Sequence, residues 1–138
     1  MTGVQTCALP IAIRGVLAAD PRIGYALVFG SHAAGHSTAF SDVDLAIGLK
    51  TGATLDRPAI GELTSRLEHA TRRRIDLVLL DEASPALAYR VFRGGRLLLD
   101  SDRAALVRRE TRAVLEYLDF KPLEQLCVRA VLDAAAHG

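Results

Sequence analysis

The stretch from Gly30 to Ile47 sets the tightest limits on what this chain can fold into. The run Tyr25 to Phe29 is short and apolar and stops at Gly30, the pattern of a buried strand feeding a tight turn. Gly30 and Ser31 then begin a loop or short helix whose free N–H groups suit an anionic phosphate. At Val43 a strand pattern resumes, and Asp42 and Asp44, two residues apart, project from one face of its beginning. Two carboxylates on one face can share divalent metal ions. Taken singly, Gly30-Ser31 is an ordinary turn and Ser41-Asp42 an ordinary entry to a strand. The specificity lies in finding both at this spacing with a strand on either side.

A third acid follows the same logic. From Arg74 to Leu80, Ile75, Leu77 and Leu79 alternate with Asp76, Val78 and Leu80, so Asp76 lies on the face opposite the isoleucine of a strand. Burying an unpaired carboxylate in such an apolar strand is costly. Asp76 must therefore reach solvent, meet a cation or bind a metal. His32 and His36 bracket the phosphate loop, but two histidines without cysteine or a further histidine read as surface groups or phosphate neighbours rather than zinc ligands.

The remaining chain alternates strands and helices, which places it in the mixed α/β class. Ile11 to Ala19 forms a short amphipathic helix ended by Asp20-Pro21, since proline disfavours helical geometry in the residue before it. Met1 to Ile11 shows neither helical nor strand periodicity, and it resembles translated sequencing-adapter read-through standing where a native segment belongs. Val43 to Leu49 is a strand with Val43, Leu45 and Ile47 on one face and Asp44 and Ala46 on the other. Asp56 caps a helix carrying Ile60, Leu63, Leu67 and Ala70 at helical spacing, and Arg72-Arg73-Arg74 is its solvated end. Ser84-Pro85 starts a helix that stops at Gly94-Gly95, and Arg96 to Asp100 makes a short edge strand. Asp102 caps a long helix to about Leu118, with Leu106, Val107, Val114, Leu115 and Leu118 apolar and an arginine-rich face opposite. Leu123 to Ala136 either completes the core or offers a docking surface, which its last turns favour.

Composition excludes several classes of function. Half of the 138 residues are hydrophobic and 24% charged, enough for one globular core and no second domain. The net charge of +1 provides no global field toward nucleic acid or an anionic membrane. No apolar run approaches the roughly 20 residues of a membrane span. Cys7 and Cys127 lie near opposite ends without metal-ligand spacing, as in a reduced cytoplasmic protein.

Gly30-Ser31, ten further residues and Asp42-Val43-Asp44 together resemble the signature of the polymerase-beta nucleotidyltransferase superfamily, and most closely its minimal nucleotidyltransferases. Phe92 to Leu99 (Phe-Arg-Gly-Gly-Arg-Leu-Leu-Leu) and Tyr117 to Pro122 (Tyr-Leu-Asp-Phe-Lys-Pro) resemble the MntA antitoxins, partners of HEPN-domain toxins. The resemblance implies an α/β (α+β) polymerase-beta-like fold, a small mixed sheet flanked by helices. It divides the chain into an N-terminal segment 1–24, a nucleotidyltransferase domain 25–122 and a C-terminal helical tail 123–138.

The same resemblance implies ATP as substrate, two Mg2+ ions as cofactors, and Asp42, Asp44 and Asp76 as both catalytic residues and metal ligands. Gly30, Ser31 and Ser41 would bind the nucleotide. Many relatives carry a basic residue just before the second glycine of the loop. Here that position is Ala34, and His32, His36 or Lys50 would have to replace the contact. The implied activity is AMP transfer to a hydroxyl, that of tyrosine, on a HEPN-type ribonuclease toxin, within a cytoplasmic hetero-oligomer that engages neither nucleic acid nor membrane. The alternatives are a non-catalytic antitoxin that binds and occludes its partner, and a nucleotidyltransferase for a small molecule such as an aminoglycoside.

Overall fold

The computed structural model of the chain describes residues 2–30 and 42–137. Its elements are helix α1 (Thr2–Ala18), strand β1 (Ile23–Phe29), strand β2 (Val43–Leu49), helix α2 (Arg57–Thr71), strand β3 (Ile75–Leu79), a single 3-10 turn (Leu80–Glu82), helix α3 (Pro85–Gly94), strand β4 (Arg96–Asp100) and helix α4 (Arg103–His137). The strands form one mixed sheet in the order β3-β2-β1-β4, in which β2 and β3 are parallel and the other two pairings are antiparallel. This is the small mixed sheet flanked by helices that the sequence implies.

Side-chain alternation divides the interior into two cores, one on each face of the sheet. On one face Val28, Val43, Leu45 and Ile47 pack with Ile13 and Leu17 of α1 and Leu63 and Leu67 of α2. On the other, Tyr25, Leu27 and Ala46 pack with Ala88 and Val91 of α3 and Ala105, Leu106 and Ala113 of α4. The register of β1 shifts between Ile23 and Tyr25, which puts Ile23 in the first core although Tyr25 and Leu27 belong to the second.

The caps read from sequence form as hydrogen bonds. Asp56 accepts from the Ala59 N–H at 2.9 Å, Ser84 from Leu87 at 3.3 Å and Asp102 from Ala105 at 3.1 Å, each satisfying a donor that a helix start leaves open. Helix α2 ends with Arg72 in the left-handed region at φ 58°, and its Ala70 is exposed while Leu63 and Leu67 are buried.

Helices α1 and α4 depart from expectation. Helix α1 already begins at Thr2 and runs through Pro10, although proline removes a helix hydrogen bond; Leu9 packs against the core on the far side of that residue. Helix α4 continues to His137 through Pro122. Of its five apolar residues singled out above, only Leu106 is buried, whereas Val107, Val114, Leu115 and Leu118 are all exposed. The face that meets the sheet is Ala105, Arg109 and Ala113 at i, i+4 and i+8. Small side chains let the helix come close, and packing distance chose the face over the count of large apolar residues.

The turn between α1 and β1 is held by charge. Asp20 is buried and accepts three hydrogen bonds from Arg22: 2.9 Å from the backbone N–H, 2.9 Å from Nε and 2.8 Å from Nη2. The arginine side chain is partly exposed, so its field is partly screened by solvent. The Arg22 hydrogen bonds still lower the Asp20 pKa, against the opposing effect of burial. A depressed carboxyl pKa stabilises the fold fully above the ordinary carboxylate range, and the contribution fades as pH falls through the folded value. Asp20→Asn should therefore lower the Tm by roughly 3–6 °C at pH 7. The gap to wild type should hold down to about pH 4.5 and narrow below about pH 4; thermal melts across that range check both.

Candidate active site

The candidate site lies where the C-terminal end of β1 meets the N-terminal ends of β2 and β3. Phe29 pairs with Asp44 across the antiparallel β1–β2 ladder, so Gly30 emerges beside the Asp44 side chain. Gly30 has φ +71°, a conformation open to glycine and strained for other residues. A Cβ added there would collide with the Asp44 carboxylate. The glycine thus serves two ends: it turns the chain, and it leaves the space that the carboxylate occupies.

Strand register brings the third acid in. Asp44 is the direct partner of Asp76 in the parallel β2–β3 ladder, between the Val43–Ile75 and Leu45–Leu77 pairs. Partners in register share a face, so the two carboxylates stand side by side on adjacent strands. Two hydrogen bonds fix the start of that ladder. The Val43 N–H donates to the Arg74 carbonyl at 2.9 Å, and the Ile75 N–H donates to Oε2 of Glu68 on α2 at 3.1 Å. Glu68 therefore anchors β3 one residue from Asp76, a positioning contact that hydrophobic periodicity could not reveal.

Asp42 precedes β2 and is exposed, Asp44 is half-buried, and Asp76 is exposed at the edge strand. The acids belong to the face whose interior is covered by α3 and α4. Among the described residues no three His, Cys, Asp or Glu side chains are close enough to hold a metal ion by themselves. The donor set fits a hard divalent cation nonetheless. It is wholly carboxylate oxygen, and magnesium commonly takes one or two carboxylates and completes its shell with substrate phosphates and water.

Of the expected nucleotide contacts, Gly30 is at the site, while Ser31 and Ser41 lie outside the described residues, as do His32, Ala34 and His36. Lys50 is a correction. It follows the C-terminal end of β2, six residues beyond Asp44 and so roughly 20 Å away along the strand, too far to replace a phosphate contact at Gly30.

The sequence model of the family described as "Polymerase beta, Nucleotidyltransferase" matches residues 12–104, which contain the glycine turn and all three acids. The chain belongs to this nucleotidyltransferase family. No curated protein matches its sequence closely. Among solved structures, a toxin–antitoxin complex with AMP-PNP matches at 26% identity and TM-score 0.77, covering 89% of this chain and 98% of that one. A mutant of the MntA toxin–antitoxin pair matches at 27% identity and TM-score 0.72, covering 86% and 93%. The MNT antitoxin bound to a tri-AMPylated HEPN toxin of Shewanella oneidensis shares the fold, at 23% identity and TM-score 0.74 over 92% and 98%.

Gly30→Ala tests how far the turn and the carboxylate depend on each other. The left-handed conformation alone should cost this nucleotidyltransferase about 1–2 kcal/mol, read from urea melts. In the double variant Gly30→Ala/Asp44→Ala the colliding carboxylate is gone, so the loss should be smaller than the sum of the single losses. Strict additivity would mean that backbone strain is the whole effect.

Proposed function

We propose that the protein is an antitoxin that transfers AMP from ATP to a hydroxyl group, that of tyrosine, on a HEPN-type ribonuclease toxin and thereby silences it. The observation that carries the reading is the in-register pairing of Asp44 with Asp76 beside the Gly30 turn, with Asp42 two residues away. The AMP-PNP found with one similar toxin–antitoxin complex and the AMPylated toxin in another support it.

In this reading the acceptor oxygen forms a bond to the α-phosphorus, and the bond from that phosphorus to the bridging oxygen breaks, releasing pyrophosphate. Two Mg2+ ions held by Asp42, Asp44 and Asp76 would supply charge neutralisation at the phosphates and acidify the acceptor hydroxyl. The protein supplies alignment and fixed charge. Asp76 stands nearest the edge of the sheet, where an acceptor arrives from outside, and its carboxylate takes the hydroxyl proton. A tyrosine hydroxyl with its ordinary pKa of about 10 needs such help near neutral pH. Ser31 and the surrounding N–H groups hold the β- and γ-phosphates. The AMP added to the toxin brings negative charge and bulk to an RNA-binding surface, which opposes RNA there.

The partner surface proposed for this complex is the outer side of α4. Val107, Val114 and Leu118, at i, i+7 and i+11, are exposed, and so are Leu126, Val128, Val131 and Leu132 farther along. Among the described residues no helix is long and apolar enough to cross a membrane. The same exposed stripe favours a second reading, in which the protein neutralises its partner by occlusion alone.

Incubation with α-labelled ATP, magnesium and the HEPN-type toxin separates the two. Wild type should label the toxin. Asp42→Ala, Asp44→Ala and Asp76→Ala should each reduce labelling by more than the roughly 10–100-fold that loss of a group merely supporting a ligand costs. Equal labelling by Asp42→Ala would overturn the transfer mechanism. Full protection of cells by an unlabelling Asp42→Ala/Asp44→Ala variant would establish occlusion instead.

A further inference from the structure

A second cleft lies at the opposite end of the sheet from the three acids, between the loop after β2 and one side of α4, with a volume of about 720 Å³. Its charge is one-sided. Lys50, Arg108, Arg109 and Arg112 line it, and the single acid among its lining residues is Asp81. Arg112 forms an ion pair with Glu116 at 3.1 Å, and Arg108 donates a hydrogen bond to the Thr51 hydroxyl. Tyr25 forms part of the wall, its ring lying over Gly48, where any Cβ would overlap it.

Arg109 is the unusual member. It is only 4% exposed, and its Nε donates to the Leu80 carbonyl at 2.9 Å. Nη1 and Nη2 are buried and have no hydrogen-bond partner among the described residues. A buried guanidinium with two open donor groups is costly, since both its charge and its N–H groups have been taken from water. Burial, and next the like charge of Arg112, push its pKa downward, while Glu116, Tyr25 and Asp81 act in the other direction without forming an ion pair with it. The alanines one turn away on either side, Ala105 and Ala113, give the side chain room on the buried face of α4.

We propose that this cleft is a second anion site, in which the terminal nitrogens of Arg109 bind a phosphate group of a small molecule and Arg112 and Lys50 complete the charge balance. Phosphate suits the donors better than a carboxylate does. It offers more oxygens to the arginine fork and enough negative charge to offset the repulsion between Arg109 and Arg112. The size of the cleft falls within the roughly 300–1,000 Å³ usual for small-molecule sites. The residues owe nothing to the nucleotidyl-transfer site, since Lys50 stands roughly 20 Å along β2 from Asp44.

The test uses the full chain carrying Asp42→Ala and Asp44→Ala, without divalent metal, so that the nucleotide site does not compete. Inorganic phosphate and pyrophosphate are titrated while the Nε–H NMR signal of Arg109 and the Tm are followed. A saturable shift of that signal with a rise in Tm is expected. Arg109→Met, which removes the reporter N–H itself, should abolish the rise in Tm. Should that variant not fold, Arg112→Gln on the outer wall should weaken binding at least tenfold, and Asp81→Asn, which removes the opposing charge, should tighten it. No saturable shift, unchanged affinity in Arg112→Gln, or weaker binding in Asp81→Asn would overturn the site. Acetate matching phosphate at equal concentration would also overturn it, pointing to a carboxylate such as an acidic side chain of a partner protein.

Discussion

The parallel pairing of β2 with β3 is the constraint from which the candidate site follows. A slip of one residue would move every side chain of β3 to the other face, burying Asp76 in the core of α1 and α2 and sending Ile75 toward the acids. Core packing therefore fixes the register that brings the two acids together. Val43, Leu45 and Ile47 can pack with Ile75, Leu77 and Leu79 only when Asp44 faces Asp76. Precision at the site needs no dedicated scaffold, because any misplacement of the acids would also expose several core side chains.

Much of this was legible in the chain. Gly30 could be read as a turn because an apolar run ends on it, and Asp42, Asp44 and Asp76 could be placed because strand alternation has a period of two and tolerates few exceptions. The helix starts at Asp56, Ser84 and Asp102 were legible for a similar reason, since capping is a contact between residues three apart. What escaped depends on contacts distant in sequence or on packing distance. The burial of Ala105, Arg109 and Ala113 beside Leu106, in place of Val107, Val114, Leu115 and Leu118, reflects how closely the helix approaches the sheet. The support of β3 by Glu68 joins the end of a helix to a strand across an arginine-rich turn, and nothing in local composition announces it. The pairing of Asp20 with Arg22 spans two residues, yet the need for it arises only from burial of the turn.

Charge in this molecule is uneven along the sheet. A net charge of +1 conceals an acidic end of the sheet, where Asp42, Asp44 and Asp76 gather, and a basic end, where Lys50, Arg108, Arg109 and Arg112 surround a cleft. Strand β2 runs from one to the other. Carboxylates repel a phosphate and guanidinium groups attract one, so a phosphate at the acidic end would need accompanying cations and one at the basic end would not.

The stacking of Tyr89 on Tyr117, with ring centroids 4.0 Å apart and planes within 4°, is the last pairing of described aromatic rings between α3 and α4 along the chain. Beyond it α4 continues from Leu118 to His137, about 30 Å of helix at the usual rise. The direction of that distal arm is therefore set upstream, where Ala105, Arg109 and Ala113 seat α4 on the sheet and the stacked tyrosines tie it to α3.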